Sequence, residues 1–249
     1  MKKVVFRAAA VALALSSAPA FAADEVSLSA SVTGVSEYFF RGISQSDSNP
    51  ALQAGLEGSM DITEGLSGYL GIWGSTVDFN NGTDAEIDFY GGFRYAIGDL
   101  GFDLGAIRYH YVDDPATSNY DFTEFKLLAS YDFGFMAPSA GIYYSPQYYG
   151  GSGTAVYYTA GVTVPIPVTE FEPRIVANVG RQTIDNNSRW GTEDYVDWNI
   201  GLFASYMGFT AGIQYVDNNI DTNDAANTSC TTGVCEAAAV VSLGYSYSF

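Results

Sequence analysis

The residues of this chain that could do chemistry are mostly carboxylates, and their spacing is that of a lining. Glu57, Glu86, Asp88, Asp103, Glu124, Glu172 and Asp197, with Arg94, Lys126 and Arg174, fall on the polar side of segments in which apolar and polar residues alternate. In 85–97, Ile87, Phe89, Gly91, Phe93 and Tyr95 oppose Glu86, Asp88, Tyr90, Gly92 and Arg94. In 120–133, Phe125, Leu127, Ala129 and Tyr131 oppose Glu124, Lys126, Leu128 and Ser130. A side-chain period of two belongs to a β-strand, so these charges stand on one face of a sheet. If that face encloses a passage, the excess of acids over bases makes a wall that attracts cations. The opposing reading is that the charges pair with one another and fill the space between them.

Reaction chemistry has little to work with. His110 is the one histidine, and nothing near it forms a recognisable serine–histidine pair. No catalytic residue, cofactor or metal is therefore expected. Asp217, Asn219, Asp221 and Asn223 have the opening spacing of a calcium loop. Thr222 stands where its glycine belongs and Thr228 where its distal glutamate belongs, so it is not an EF-hand. Cys230 and Cys235, the two cysteines, are expected as a disulfide in an exported chain. Glu37 and Arg41 share the inward parity of a first strand taken as 26–40, which places them at the mouth of a passage to gate it or select. The alternative for Arg41 is that it ties down the first loop by hydrogen bonds.

Twelve strand-like segments carry these residues, near 26–40, 51–61, 66–79, 85–97, 100–112, 120–133, 134–146, 154–164, 171–183, 193–206, 208–216 and 236–249. No helical pattern of useful length interrupts them. Their connections alternate in length. Gly42 to Pro50, Asn80 to Asp84, Asp113 to Asn119, Gln147 to Gly153, Asp185 to Thr192 and Asp217 to Cys235 are long and polar. Ile62 to Gly65, Gly98-Asp99, Asp132 to Gly134, Pro165 to Glu170 and Met207-Gly208 are short. A soluble sandwich also alternates apolar and polar residues, but it has no reason to keep this order of connections. An antiparallel transmembrane barrel of the outer-membrane type does, with short periplasmic turns and long extracellular loops. The closing segment ends Tyr245-Ser-Tyr247-Ser-Phe249, with its aromatics on one face. It resembles the assembly signal of such barrels. Two aromatic belts are expected at the membrane surfaces. Tyr38, Phe39, Phe40, Tyr109, Tyr111, Tyr143, Tyr144 and Tyr215 would form the outer one, and Tyr95, Phe102, Tyr131, Phe133, Phe171, Tyr206 and Phe209 the inner one.

The beginning of the chain agrees with export. Lys2, Lys3 and Arg7 precede the short apolar run Ala8 to Leu15, and Ala20-Phe21-Ala22 offers small residues for cleavage. Residues 1–22 therefore read as a signal peptide, and 23–249 as a single barrel domain in the outer membrane of a Gram-negative bacterium. The net charge is −18 for the whole chain. Removing the three basic residues of the signal makes it more negative still, which speaks against nucleic acid as a partner. The expected surroundings are outer-membrane lipid and lipopolysaccharide, the barrel-assembly machinery, and small solutes or ions in the lumen. Oligomeric state stays open.

The stretch from Ser36 to Gly55, with Phe40-Arg41-Gly42, Ser44-Gln45, Pro50-Ala51 and Gln53 as its core, resembles the N-terminal signature of the TorF family of porins. Glu86 to Gly92 and Gly105 to Tyr111 are similar to that family's second region. There the relatives continue into a Tyr-Pro turn, whereas here Val112-Asp113-Asp114-Pro115 displaces the proline. The resemblance covers about Ser27 to Ser130. It implies an outer-membrane porin but no particular substrate. A channel for small solutes with cation preference is the resulting expectation, against a non-conducting structural or adhesive barrel.

Overall fold

A computed structural model of the chain describes residues 26–168, 170–224, 227–230 and 233–249. The expected signal peptide lies outside the described residues. Among the described residues fourteen strands follow in order: β1 (Ser27–Val35), β2 (Phe39–Phe40), β3 (Ile43–Ser44), β4 (Ala51–Thr63), β5 (Leu66–Thr76), β6 (Ala85–Ile97), β7 (Leu100–Val112), β8 (Phe122–Tyr131), β9 (Ala137–Ser145), β10 (Ala155–Pro165), β11 (Arg174–Ile184), β12 (Tyr195–Tyr206), β13 (Phe209–Asn218) and β14 (Ala238–Ser248). All but β2 and β3 form one closed barrel of twelve antiparallel strands. β1 pairs with β4 on one side and β14 on the other, which closes the ring. Closure satisfies every edge, as a barrel in lipid requires. Among the described residues the only helical pieces are one turn at Asn187–Trp190 and a 3-10 turn at Tyr149–Gly151.

Alternation decides which way each side chain points. On β4, Leu52 and Leu56 are exposed on the outer wall while Gln53 and Glu57 are buried inside. β6 does the same with Phe89 and Phe93 outside and Glu86 and Asp88 inside. On β14, Val241, Leu243, Tyr245 and Tyr247 face outward, followed by Phe249, whose backbone exchanges hydrogen bonds with Leu28 of β1. The outer wall is thus apolar and the lumen polar, the reverse of a soluble core and the arrangement that a hydrocarbon layer stabilises. One end carries the start of β1, the end of β14 and the short turns, such as Met207-Gly208, whose positive φ values (49° and 85°) make a tight reversal. The long loops crowd the other end.

Two expectations change. The first strand ends at Val35, not at residue 40. The chain then turns inward and makes the small hairpin β2–β3, in which Phe40 pairs with Ile43 across Arg41 and Gly42. Both turn residues have positive φ, 49° and 77°, the signature of a two-residue hairpin turn. The outer aromatic belt changes more. Tyr144 and Tyr215 face outward, but Tyr38, Phe39, Tyr109 and Tyr111 are buried. They sit inside because the loop end of the lumen is filled. Tyr109, Tyr111, Phe122 and Tyr148 make one cluster there, with Phe40 and Trp190 against it, and Tyr38, Trp73 and Val77 make another. Around the terminal end, Tyr95, Tyr131, Phe133, Phe171, Tyr206 and Phe209 are exposed on the outer wall.

Candidate functional site

Two tiers of charge cross the lumen. The first lies toward the terminal end, on β4 to β8. Register sets Arg94 of β6 directly beside Asp103 of β7. The Arg94 guanidinium donates two hydrogen bonds to Glu57, at 2.7 and 2.9 Å, and its Nε lies 3.7 Å from Asp103. Lys126 donates to the same Asp103 oxygen, Oδ2, at 3.0 Å. Tyr69 donates to Asp103 at 2.6 Å, and its ring lies 3.8 Å beneath the guanidinium. Two acids and two bases balance here. Such paired, charge-assisted bonds are short and directional.

The stretch of wall that runs from β12 through β13 and β14 to β1, beside β4, is different. Toward the terminal end its inward positions include Ser205, Thr210, Gly212, Ser242, Gly244, Ser246, Ser31 and Thr33, small and mostly hydroxyl-bearing, with the Phe203 ring lying against Gly201 and Gly212. Asn178 donates to Asn199 at 2.9 Å, and Arg174 donates to Ser205 at 2.9 Å. Long charged side chains thus dominate one stretch of the wall and short neutral ones, Phe203 apart, the other.

The second tier lies toward the loop end, where the hairpin β2–β3 enters the lumen. Arg41, at its tip, is 3% exposed. It donates to both oxygens of Glu124 on β8, at 2.9 and 2.6 Å, and to Gln182 Oε1 on β11 at 2.7 Å. Its guanidinium lies 4.1 Å from the Tyr157 ring centre, 5.1 Å from Tyr143 and 4.6 Å from Phe40. The tip is fixed from behind: Asn218 donates to the Gly42 carbonyl at 2.7 Å, and a Cβ on Gly42 would stand 2.8 Å from Asp197 Cβ. Holding a non-glycine residue such as Arg41 in the left-handed region costs roughly 1–2 kcal/mol, which the bonds to Glu124 offset.

Around Arg41 the charges do not balance. Glu86, Asp88, Glu124 and Asp197 are all buried at this level. Tyr38 donates to Glu86 at 2.9 Å and Tyr157 donates to Asp197 at 3.1 Å. Asp88 Oδ1 and Asp197 Oδ2 have no hydrogen-bond partner within the protein. One guanidinium therefore serves four carboxylates.

The sequence-derived positions divide accordingly. Glu57, Arg94, Asp103 and Lys126 come together in the terminal tier. Glu86, Asp88, Glu124 and Asp197 come together in the loop tier. Arg174 stands apart near the terminal end. Glu172 is a correction: it precedes β11, is exposed, and has a φ of 38° in the turn after β10, so it does not line the lumen. Glu37 and Arg41 are another. With β1 ending at Val35 they share no strand face, and Arg41 lies inside the barrel, tying down the first loop. Tyr69, Tyr157, Tyr143 and Gln182 were missed, because aromatic and amide residues on the polar parity look like ordinary filling. The Arg41-Gly42 pair between Phe40 and Ile43 was the signal for the hairpin.

The other candidates have local roles. Cys230 and Cys235 form a disulfide, beside Ile43 and Tyr195. Asn219 accepts from the Val196 amide and Asp221 from the Asn223 amide, so these side chains serve a cross-strand contact and a turn. Among the described residues no group of His, Cys, Asp or Glu is arranged to hold a metal ion. His110 faces outward against Asp121, at 2.7 Å.

A closed, apolar-walled barrel with a charged lumen defines the class of outer-membrane β-barrels. The chain belongs to the family described as "Bacterial protein of unknown function (Gcw_chp)", whose model matches residues 19–247. No curated protein matches it in sequence. Solved structures share its fold. An outer-membrane channel from Pseudomonas putida F1 is similar at a TM-score of 0.53 and 10% identity, over 92% of this chain and 97% of that one. The NanC porin is similar at 0.54 and 11%, over 88% and 98%.

Proposed function

We propose that this chain is an outer-membrane channel that passes small solutes and prefers cations, with residues 1–22 as its export signal and 23–249 as its barrel. The observation that carries this reading is the asymmetry of the lumen. Ion-paired long side chains line β4 to β8, whereas serine, threonine and glycine, interrupted by Phe203, line the terminal end of β12 to β14 and β1. Short side chains take up less of the lumen than long ones, and the uneven charge sets a field across it. Cation preference follows from the loop tier, where Arg41 alone opposes Glu86, Asp88, Glu124 and Asp197. The TorF-like signature at 36–55 builds the very hairpin that enters the lumen, which accords with a porin of that kind. The long loops then face outside the cell amid lipopolysaccharide, and the Tyr245-Tyr247-Phe249 face of β14 serves as the signal to the barrel-assembly machinery.

The test is the reversal potential of the purified protein in a planar bilayer under a salt gradient. Cation-selective channel events are expected. A second reading, a structural or adhesive barrel that does not conduct, is favoured by one observation: the aromatic clusters and the hairpin occupy the loop end of the lumen. Silence in the bilayer across a wide voltage range would select that reading, and anion selectivity would overturn the charge argument.

A further inference from the structure

The surroundings of Arg41 are more elaborate than a loop anchor needs. Glu124 on β8 offers both carboxylate oxygens to the two ends of the guanidinium, and Tyr109 donates to the same carboxylate at 3.2 Å, which fixes its plane. Gln182 on β11 turns its carbonyl oxygen to the guanidinium, because its amide nitrogen is held by the Thr183 and Val156 carbonyls at 3.2 and 3.4 Å. Tyr157 on β10 supplies an aromatic face at 4.1 Å. Tyr157 is itself held by its bond to Asp197 and by Gly180, where a Cβ would overlap its ring. Every one of these groups belongs to the barrel wall, whereas Arg41 belongs to a loop. A planar carboxylate acceptor, a neutral acceptor beside it and an aromatic face are the three contacts that distinguish a guanidinium from a simple ammonium or a metal ion.

We propose that the wall residues Glu124, Gln182, Tyr157 and Tyr143 form a guanidinium-binding site of the channel, and that Arg41 is its tethered occupant. The solute class is then the small basic organic cation that carries a guanidinium group. Such a solute, drawn in by the carboxylates of the loop tier, competes with the Arg41 side chain for one cage. This deepens the channel reading and rests on it for transport, although binding is measurable without transport.

The experiment removes the occupant and offers the group back. Arg41→Gly keeps the left-handed turn at φ 49° and empties the cage. The refolded variant in detergent is titrated with methylguanidinium in the millimolar range. Loss of the unheated, fast-migrating band on gels reports melting. Methylguanidinium is expected to raise the melting temperature of Arg41→Gly by several degrees and the wild type little, with sodium or tetramethylammonium at equal concentration giving no such rise. In Arg41→Gly/Glu124→Gln the rise should vanish. In bilayers, the same ion should block Arg41→Gly at millimolar concentration and the wild type many-fold less. Equal responses to methylguanidinium and sodium in Arg41→Gly, or an undiminished response after Glu124→Gln, would overturn the site. A specific melting shift without any channel event would leave the site standing and remove the channel reading instead. Should Arg41→Gly not fold, Arg41→Ala, which also empties the cage, gives the same comparison, and absence of a methylguanidinium-specific rise there overturns the proposal equally.

Discussion

Tyr157 lies across Gly180. The two residues are on neighbouring strands, β10 and β11, two residues off direct register and so on the same face, and a Cβ on Gly180 would overlap the phenol ring. The absent side chain sets the tilt of Tyr157, and that tilt presents the ring face to Arg41 while the hydroxyl reaches Asp197.

Gly180→Ala therefore has a defined consequence. The ring must move, and overpacking of this kind typically costs about 1–3 kcal/mol. The barrel should still close, because the strand pairing of β10 and β11 is untouched. Arg41 loses its stacking partner, so the variant should resemble an Arg41 variant in melting temperature. Tyr157→Leu on its own should lower stability similarly, and the two changes together should be less than additive. Full additivity in thermal melting would show that the contact carries no energy.

Arg41 and Glu124 form the second test. A charge pair this deep is strongly destabilised when one member is removed, by roughly 3–5 kcal/mol, because the other is left buried alone. Replacing both by apolar residues costs much less. Glu124→Gln should thus be more damaging in denaturant unfolding than Arg41→Met/Glu124→Leu. Had the guanidinium sat in water at a pore mouth, the single change would cost under about 1 kcal/mol, and that outcome would refute the burial seen here.

The difference between those two placements marks what was legible in the sequence. Strand count, inward parity and the alternating connections could be read, because each rests on a local period or on the length of a polar run. The bounds of β6 and β7, at 85–97 and 100–112, came out of the alternation alone. What could not be read was where the first long loop goes. Tyr38 and Phe40 keep the outward parity of β1 and Glu37 and Arg41 the inward one, so a strand can be drawn on past Val35, and Arg41-Gly42 marks a turn without saying which way the chain goes. Only tertiary contact, the cage on β8, β10 and β11, decides that the chain turns inward. The same holds for Tyr109 and Tyr111. An aromatic near a strand end suits a membrane surface or a filled lumen equally, and the loops filling the lumen determine which.

The connection between β7 and β8 should loosen in acid. Burial alone would raise the Asp121 carboxyl, but its hydrogen bond to His110, the Tyr111 amide and the Arg108 guanidinium at 3.1 Å together hold it below the usual aspartate range. A carboxyl depressed in the folded state contributes stability that is present above its unfolded value and lost as pH falls through its folded one. The connection should therefore be ordered from neutral pH down through the ordinary aspartate range and loosen only below it. Hydrogen exchange at the Tyr111 amide, which donates to Asp121 at 2.9 Å, reports this directly. Protection should fall in strong acid in the wild type and be lower already at neutral pH in Asp121→Asn. Protection that is flat in pH, or unchanged by the substitution, would remove the carboxylate from the account.

The last prediction separates the two tiers by selectivity. The terminal tier is balanced, Glu57 and Asp103 against Arg94 and Lys126, whereas the loop tier holds four carboxylates around Arg41. Glu124 is committed to that guanidinium, so neutralising it uncovers a positive charge as well as removing a negative one. The cleaner change is Glu86→Gln/Asp88→Asn, since neither residue pairs with a base. For a cation passing at ~8 Å, with a dielectric between those of protein surface and water, each carboxylate contributes about 1 kcal/mol, or about fivefold in local concentration. Salt reduces this over its screening length of about 10 Å at 0.1 M. The double variant should shift the reversal potential toward zero and weaken the cation preference several-fold, with the larger effect at low salt. A wild-type preference that survives the double change unaltered would place the selective charge elsewhere than on β6.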